Sequence, residues 1–187
     1  MAFEIEIKLR LPESLAKIRR ILREQGFRVV KRRSFETNVL FDNAKHSLRR
    51  HGKLIRIRRV GGRGLLTFKG PSLRSRHKKR EEIEIEIDFP EPDRLQEIFD
   101  KIGFHPVFRY EKYRTEYAAR SADGKIMLDE TPIGNFLEIE GSASWIDRTS
   151  KLLGFKHSDY LKASYGYLYR TYRRGQGKRV KDMLFRT

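Results

Sequence analysis

Phe3-Glu4-Ile5-Glu6-Ile7-Lys8-Leu9-Arg10-Leu11 alternates apolar and charged side chains without a break. Successive side chains of an extended strand point to opposite faces, so this stretch has one apolar face and one charged face. The pattern returns in Leu54-Ile55-Arg56-Ile57-Arg58 and in Arg80-Glu81-Glu82-Ile83-Glu84-Ile85-Glu86-Ile87. Weaker versions run from Arg28 to Phe41, Leu65 to Lys69, Val107 to Tyr117, Lys125 to Asp129 and Phe136 to Glu140. Eight strands are therefore predicted. Gly61-Gly62-Arg63-Gly64 and Asp123-Gly124 stand where hairpin turns are expected, which makes neighbouring strands antiparallel.

Helical periodicity interrupts the strands. Pro12-Glu13-Ser14 opens a stretch with Leu15, Ile18, Ile21 and Leu22 in phase, closed by Gly26. Pro90-Glu91-Pro92-Asp93 opens a second with Leu95, Ile98, Phe99 and Ile102, closed by Gly103. Ser142 to Leu153, ended by Gly154, predicts a third helix, and Tyr160 to Arg174 a fourth. Residues 3 to 41 and 79 to 117 share a strand–helix–strand layout that suggests an internal pseudo-repeat. The expected organisation is one domain over residues 1–172, followed by a basic tail, 173–187, that is frayed or loosely docked.

The charged faces differ in kind from strand to strand. Carboxylates dominate the first, fifth and eighth strands, whereas Arg and Lys dominate the third, fourth and sixth. Eight antiparallel strands suffice to close a barrel and remove the exposed edges. Four amphipathic helices need an apolar surface, and the Ile/Leu faces of the strands supply it. The consistent solution is a mainly β, α+β fold: an eight-stranded antiparallel β-barrel with a charged interior and helices packed outside. On this reading Ile5, Ile7, Ile57, Ile83 and Ile85 lie under helices, while Glu4, Glu6, Arg56, Arg58, Glu82 and Glu84 share one cavity. Buried charge costs several kcal/mol per unpaired group, so such an interior points to function rather than stability. Glu beside Arg and Lys suits a metal–phosphate complex, since carboxylates hold a hard cation and guanidinium and ammonium groups bind phosphate oxygens.

Composition agrees. The 187 residues carry 42 Lys and Arg against 25 Asp and Glu, a formal charge of +17, which calls for an anionic partner. With no cysteine, disulfides and thiolate metal sites are excluded. No apolar run reaches the ~20 residues of a membrane helix, and the N-terminus lacks a signal-peptide core. A cytoplasmic location with no membrane partner is the expectation.

Glu4-Ile5-Glu6-Ile7-Lys8 resembles the E-x-E-x-K signature of the CYTH family, the triphosphate tunnel metalloenzymes. Further segments follow in that family's order. Glu36-Thr37-Asn38 leads to Phe41-Asp42, Arg56 and Arg58 form an R-x-R strand, and Thr67-Phe68-Lys69-Gly70-Pro71 carries a lysine. Then come Arg80-Glu81-Glu82-Ile83-Glu84, Glu111-Lys112-Tyr113-Arg114, Asp129, and Gly134 with Phe136, Glu138 and Glu140, with Lys162-Ala163-Ser164-Tyr165 last. The resemblance implies an Mg²⁺ or Mn²⁺ enzyme of the triphosphatase or class IV adenylyl cyclase kind. It implies metal-binding carboxylates at Glu4, Glu6, Glu138 and Glu140, with Glu82, Glu84 and Asp129 as further ligands. Lys8, Arg56, Arg58, Lys69, Arg80, Arg114 and Lys162 would bind phosphate, and Lys8 is the candidate for a catalytic base of lowered pKa.

Other charged and aromatic residues carry blander expectations. Glu86 is rim or solvent-facing, Lys112 pairs with a carboxylate or touches phosphate, and Arg49, Arg50, Arg74, Arg76, Lys78 and Lys79 are loop residues that serve as surface charge or steer substrate rather than ligate it. The five histidines are incidental, Tyr165, Tyr167, Tyr169 and Tyr172 are packing residues, and Trp145 is core. The functional expectation is a metal-dependent hydrolase of inorganic triphosphate, short polyphosphate or a nucleoside or thiamine triphosphate. The alternatives are an adenylyl cyclase making cyclic AMP and pyrophosphate, and a non-catalytic phosphate- or nucleic-acid-binding protein. Nucleic acid is disfavoured because no recognition motif is present. The chain acts alone or as a homodimer.

Overall fold

The computed structural model describes residues 3–12, 14–88, 91–119, 123–178 and 182–186. Glu13 and Pro90, at two expected helix starts, and part of the 173–187 tail lie outside them. The strands are Phe3–Arg10 (β1), Arg28–Asn43 (β2), Leu54–Val60 (β3), Arg63–Lys69 (β4), Lys78–Ile87 (β5), Phe104–Ala118 (β6), Gly124–Thr131 (β7) and Gly134–Gly141 (β8). Their order, β1-β5-β4-β3-β2-β6-β7-β8, closes on itself through antiparallel β1–β8 pairing. The pseudo-repeat is visible in this order: β1 and β5 pair, as do β2 and β6.

Turn chemistry does what the glycines require. Gly61 (φ 55°) and Gly62 (φ 80°) join the paired Val60 and Arg63, and a two-residue hairpin with both φ values positive strongly favours glycine. Gly124 has a steric reason instead. A Cβ there would stand 2.5 Å from the Glu140 carbonyl oxygen and 2.6 Å from the Trp145 ring.

Helices occupy Leu15–Glu24 (α1), Ser47–Arg50 (α2), Glu91–Lys101 (α3), Ala143–Leu152 (α4) and Tyr165–Gly175 (α5). The hydroxyls of Ser14, Ser142 and Ser164 cap α1, α4 and α5 by accepting from Lys17, Trp145 and Tyr167 backbone N–H groups at 3.3 Å. The short α2 was not anticipated. The helix expected from Tyr160 starts only at Tyr165, because the backbone of Leu161 exchanges hydrogen bonds with Lys8 (3.2 and 2.8 Å), which keeps that stretch extended.

Two of the three apolar clusters lie outside the barrel, and the second reaches its cavity through Tyr110 and Tyr165. Ile7, Leu9, Ile126, Leu128, Leu137 and Ile139 pack under α1 and α4 with Ile18, Leu22, Trp145 and Ile146. A second cluster joins Phe108, Tyr110 and Phe136 to Tyr165 and Tyr169 of α5 and to Met183. A third sets Phe99 of α3 against Phe41 and Ile57. Each such apolar side chain contributes roughly 1.5–3 kcal/mol on burial. The tail residue Met183 is fully buried, its backbone N–H donating to the Arg109 carbonyl (2.9 Å) and its carbonyl accepting from Glu111 (3.0 Å). Two isoleucines depart from expectation: Ile83 and Ile85 of β5 are 54% and 52% exposed, since none of the three apolar clusters beneath the helices includes them.

Candidate functional site: the charged barrel interior

Strand register brings opposite charges face to face. Glu4 lies opposite Arg80, Lys8 opposite Glu138, Lys69 opposite Glu82, Glu36 opposite Lys112, and Arg114 opposite Asp129. Closing the barrel around them leaves a cavity of about 170 Å³ lined by nine Lys and Arg and six Glu side chains. Among the residues expected at the site, Glu4, Glu6, Lys8, Arg56, Arg58, Lys69, Arg80, Glu82, Glu84, Arg114, Glu138 and Glu140 all line it.

Most of these charges are paired. Lys8 Nζ is 2.6 Å from Glu138, Lys78 Nζ 2.5 Å from Glu6, and Lys69 Nζ bridges Glu4 (2.6 Å) and Glu82 (3.0 Å). Arg114 binds Asp129 through two N–H groups at 2.7 and 2.6 Å and also reaches Glu138. Arg56 donates to Thr67 Oγ1 (3.1 Å) and Tyr110 Oη (3.3 Å), while Thr67 donates to Glu84 (2.7 Å). Three buried donors are left over: the Nε–H groups of Arg56 and Arg80 and the side-chain amide of Asn38 have no hydrogen-bond partner among the described residues. An unspent buried guanidinium donor costs about 1–3 kcal/mol or more, and an anion in the cavity would recover that.

Two expected site residues are not brought to the cavity surface. Asp129 is fully buried behind it, its oxygens taken by Arg114, Lys112 (2.8 Å) and the Tyr165 hydroxyl (2.7 Å). Lys162 is exposed and donates to the Ser75 carbonyl (2.9 Å). Lys8 also differs from its expected character: burial would lower its pKa, but Glu138 and Glu6 outweigh burial and raise it. It is an ammonium clamped to a carboxylate, 4.4 Å from the Tyr165 ring centre.

Four charged or aromatic lining residues are not expected from the sequence, Lys78, Tyr110, Lys125 and Tyr165, and Lys112, expected either to pair with a carboxylate or to touch phosphate, lines the cavity as well. Lys78 was taken for a loop charge, yet it opens β5 and shares the inward phase of Arg80. Tyr110, Lys112 and Arg114 are likewise two apart on β6, and Lys125 is in phase with Met127 on β7, so period-two bookkeeping carried further would have found them. Tyr165 opens a helix, and only the packing of α5 on the barrel reveals it. His77, expected to be incidental, is buried and bonded to Asp147 (2.7 Å), outside the cavity.

The carboxylates are not equivalent. Burial, together with the negative charges of Glu6 and Glu82, pushes Glu4 up to about 7 despite Lys69. Glu140 is raised by burial, which Lys125 only partly offsets. Burial pushes Glu6 and Glu138 up as well, but Lys78 on the one and Lys8 and Arg114 on the other hold both below the usual carboxylate range. Glu4 and Glu140 are thus the carboxylates that burial and neighbouring negative charge hold closest to the neutral form.

Six glutamates around one cavity supply the carboxylate oxygens that suit a hard divalent cation. Among the described residues no three acidic or imidazole groups are gathered tightly enough to form a finished metal site. Ammonium groups stand between the carboxylates instead, Lys69 between Glu4 and Glu82 being the clearest case.

Comparison with known proteins agrees with this picture. The CYTH domain model matches residues 2–153. A Methanocaldococcus jannaschii protein provisionally named an adenylate cyclase is 32% identical over 150 residues, 80% of this chain and 83% of its own. The structure of the PH1819 protein of Pyrococcus horikoshii superposes with a TM-score of 0.73 at 27% identity, covering 91% of this chain and 99% of that one. An adenylyl cyclase candidate from Hippeastrum, described as having a dominant triphosphatase activity, shares the fold with a TM-score of 0.67 at 24% identity, over 95% of this chain and 97% of that one. Among the described residues no helix is long and apolar enough to cross a membrane. With a family model spanning residues 2–153 and a relative 32% identical over four-fifths of the chain, this protein belongs to the CYTH domain family.

Proposed function

We propose that the protein is a divalent-metal-dependent triphosphatase whose barrel interior binds the triphosphate of its substrate. The observation that carries this reading is the single cavity in which nine cations, two with unspent Nε–H donors, face six glutamates. Arg56, Arg58, Lys69, Arg80, Arg114 and Lys8 would bind phosphate oxygens, joined by Lys78 and Lys112. Phosphoryl transfer needs little more from a protein than such positioning and charge stabilisation.

Glu4, Glu6, Glu82, Glu84, Glu138 and Glu140 would hold Mg²⁺ or Mn²⁺. Asp129, with its oxygens already engaged, positions Lys112 and Arg114 instead. Bound there, a divalent cation supplies a Lewis acid and neutralises phosphate charge. Lys69 is tied to Glu4 and Glu82 until those carboxylates find another cation, so metal and anion are expected to strengthen each other's binding. With its pKa raised, Lys8 serves as a phosphate-binding cation rather than a base.

The cyclase alternative draws support from the name of the Methanocaldococcus jannaschii relative and from a second, more apolar cavity adjoining the first. One experiment separates the readings: incubate the protein with tripolyphosphate, ATP or thiamine triphosphate plus Mg²⁺ or Mn²⁺, and measure phosphate, pyrophosphate and cyclic AMP. Phosphate release without cyclic AMP is expected. Cyclic AMP with pyrophosphate would select the cyclase, and no metal-dependent consumption of any substrate would reject both.

A further inference from the structure

The interior does not account for the charge of the chain. Nine cations line the cavity, against its six glutamates and the buried Glu36 and Asp129 behind them, so sixteen of the seventeen excess positive charges lie elsewhere. One concentration of them borders the cavity itself. A groove of about 490 Å³ meets it at Leu40, Leu54, Lys78, Arg80, Ser164 and Gly166.

The groove has an apolar floor and a cationic rim. Phe41, Val107, Phe108 and Tyr167 supply the floor; Val107 and Tyr167 are exposed there. Arg49, Lys53, Lys162 and Arg170 supply the rim, and none of the four forms an ion pair among the described residues. Asp42 is the carboxylate in the lining, and it is consumed locally: its oxygens accept from the backbone N–H groups of Asn43, Leu48 and Arg49 at 2.9, 3.0 and 3.0 Å. Burial and the charges of Arg49 and Arg174 lower the pKa of Arg170, so Arg49 and Arg170 of the rim are close enough to repel one another. Unpaired like charges over an apolar floor form a receptor for an anion attached to a flat ring.

We propose that this groove holds the head of an organic triphosphate whose phosphate tail enters the barrel past Lys78 and Arg80, and that the head is a nucleotide bearing a further phosphate. The proposal rests on the reading of the interior as a triphosphate site. The apolar floor takes the base, and Arg49 and Arg170 take the second phosphate. A 3′-phosphorylated mononucleotide and the first internucleotide phosphate of a 5′-triphosphorylated dinucleotide present the same chemistry from two sources.

The test compares tripolyphosphate, ATP, 3′-phosphorylated ATP and a 5′-triphosphorylated dinucleotide as substrates, read by KM for substrate consumption and by calorimetric Kd. The proteins are the wild type and the Arg49→Gln/Arg170→Gln double variant. The expected result is a KM about tenfold lower for 3′-phosphorylated ATP than for ATP. The double variant should lose that gain while its KM for tripolyphosphate stays the same. A gain shared by the dinucleotide assigns the groove to an oligonucleotide end, and a gain confined to the mononucleotide assigns it to a small molecule. Equal KM for ATP and its 3′-phosphate overturns the proposal, as does a double variant that weakens tripolyphosphate equally. If no substrate is consumed, the reading of the interior as a hydrolase fails, and the Kd ratio of the two nucleotides still decides the groove.

Discussion

β1 and β5 lie side by side, open the two halves of the pseudo-repeat, and carry the same alternation of isoleucine and charge. Their inward faces behave alike: Glu4, Glu6 and Lys8 of the one and Lys78, Arg80, Glu82 and Glu84 of the other line the cavity. Their outward faces do not. Ile7 and Leu9 are sealed under α1 and α4, whereas Ile83 and Ile85 are 54% and 52% exposed. The helix that follows β1 packs back over it, but α3, which follows β5, packs over β2, β3, β4 and β6, with Phe99 against Phe41 and Ile57. Alternation therefore separates the faces of a strand without deciding whether the apolar one is covered.

The largest expected effect lies on the shared inner face. Glu6→Gln on β1 should lower metal-dependent turnover roughly 100-fold or more, as removal of a key electrostatic group does. Glu86→Gln, on the exposed rim end of β5, should leave it unchanged. Initial rates across a metal titration compare the two, and wild-type rates for Glu6→Gln would break the equivalence drawn between the inner faces.

Stability should split the outer faces. Ile7→Ala is expected to cost about 2–5 kcal/mol, a buried-core deletion, and Ile85→Ala about 0.5 kcal/mol or less. Denaturant unfolding measures both, and equal losses would mean that β5 is covered in solution.

A smaller effect concerns Glu4 and Glu82, which share Lys69 across the β1–β5 boundary yet shift in opposite directions. Burial raises both; Glu6 and Glu82 add to the rise at Glu4, which reaches about 7, whereas Lys69 carries Glu82 below its usual value. With its folded pKa above the unfolded one, Glu4 favours folding below about pH 4.5, and that contribution fades as pH rises through about 7. Proton uptake by the folded protein near neutral pH should disappear in Glu4→Gln and move to lower pH in Glu82→Gln, which removes one of the charges that raise Glu4. Glu36 has the opposite sign: burial raises it, but Lys112 and Arg114 hold it at about 2. Its contribution, roughly 3 kcal/mol, is present above about pH 4.5 and is lost as pH falls towards 2. Acid unfolding of Glu36→Gln should be less steep over that window.

Period-two alternation, Gly61-Gly62 and the kind of charge on each strand determined the eight strands, the inversion of the barrel and six of the residues that line its cavity, the other six expected ones coming from the resemblance to the CYTH family. All of these are local: a strand's faces follow from backbone geometry within a few residues, and a glycine pair announces its own turn. Only the tertiary structure withdrew Asp129 behind Arg114 and Lys112, left Lys162 outside, drew Lys78 and Tyr165 in, and bared Ile83 and Ile85. It also started α5 at Tyr165 and seated Met183 beside β6. Those outcomes depend on register across the closed barrel and on where each helix returns to it. Both are settled between segments far apart in the chain, where periodicity carries no information.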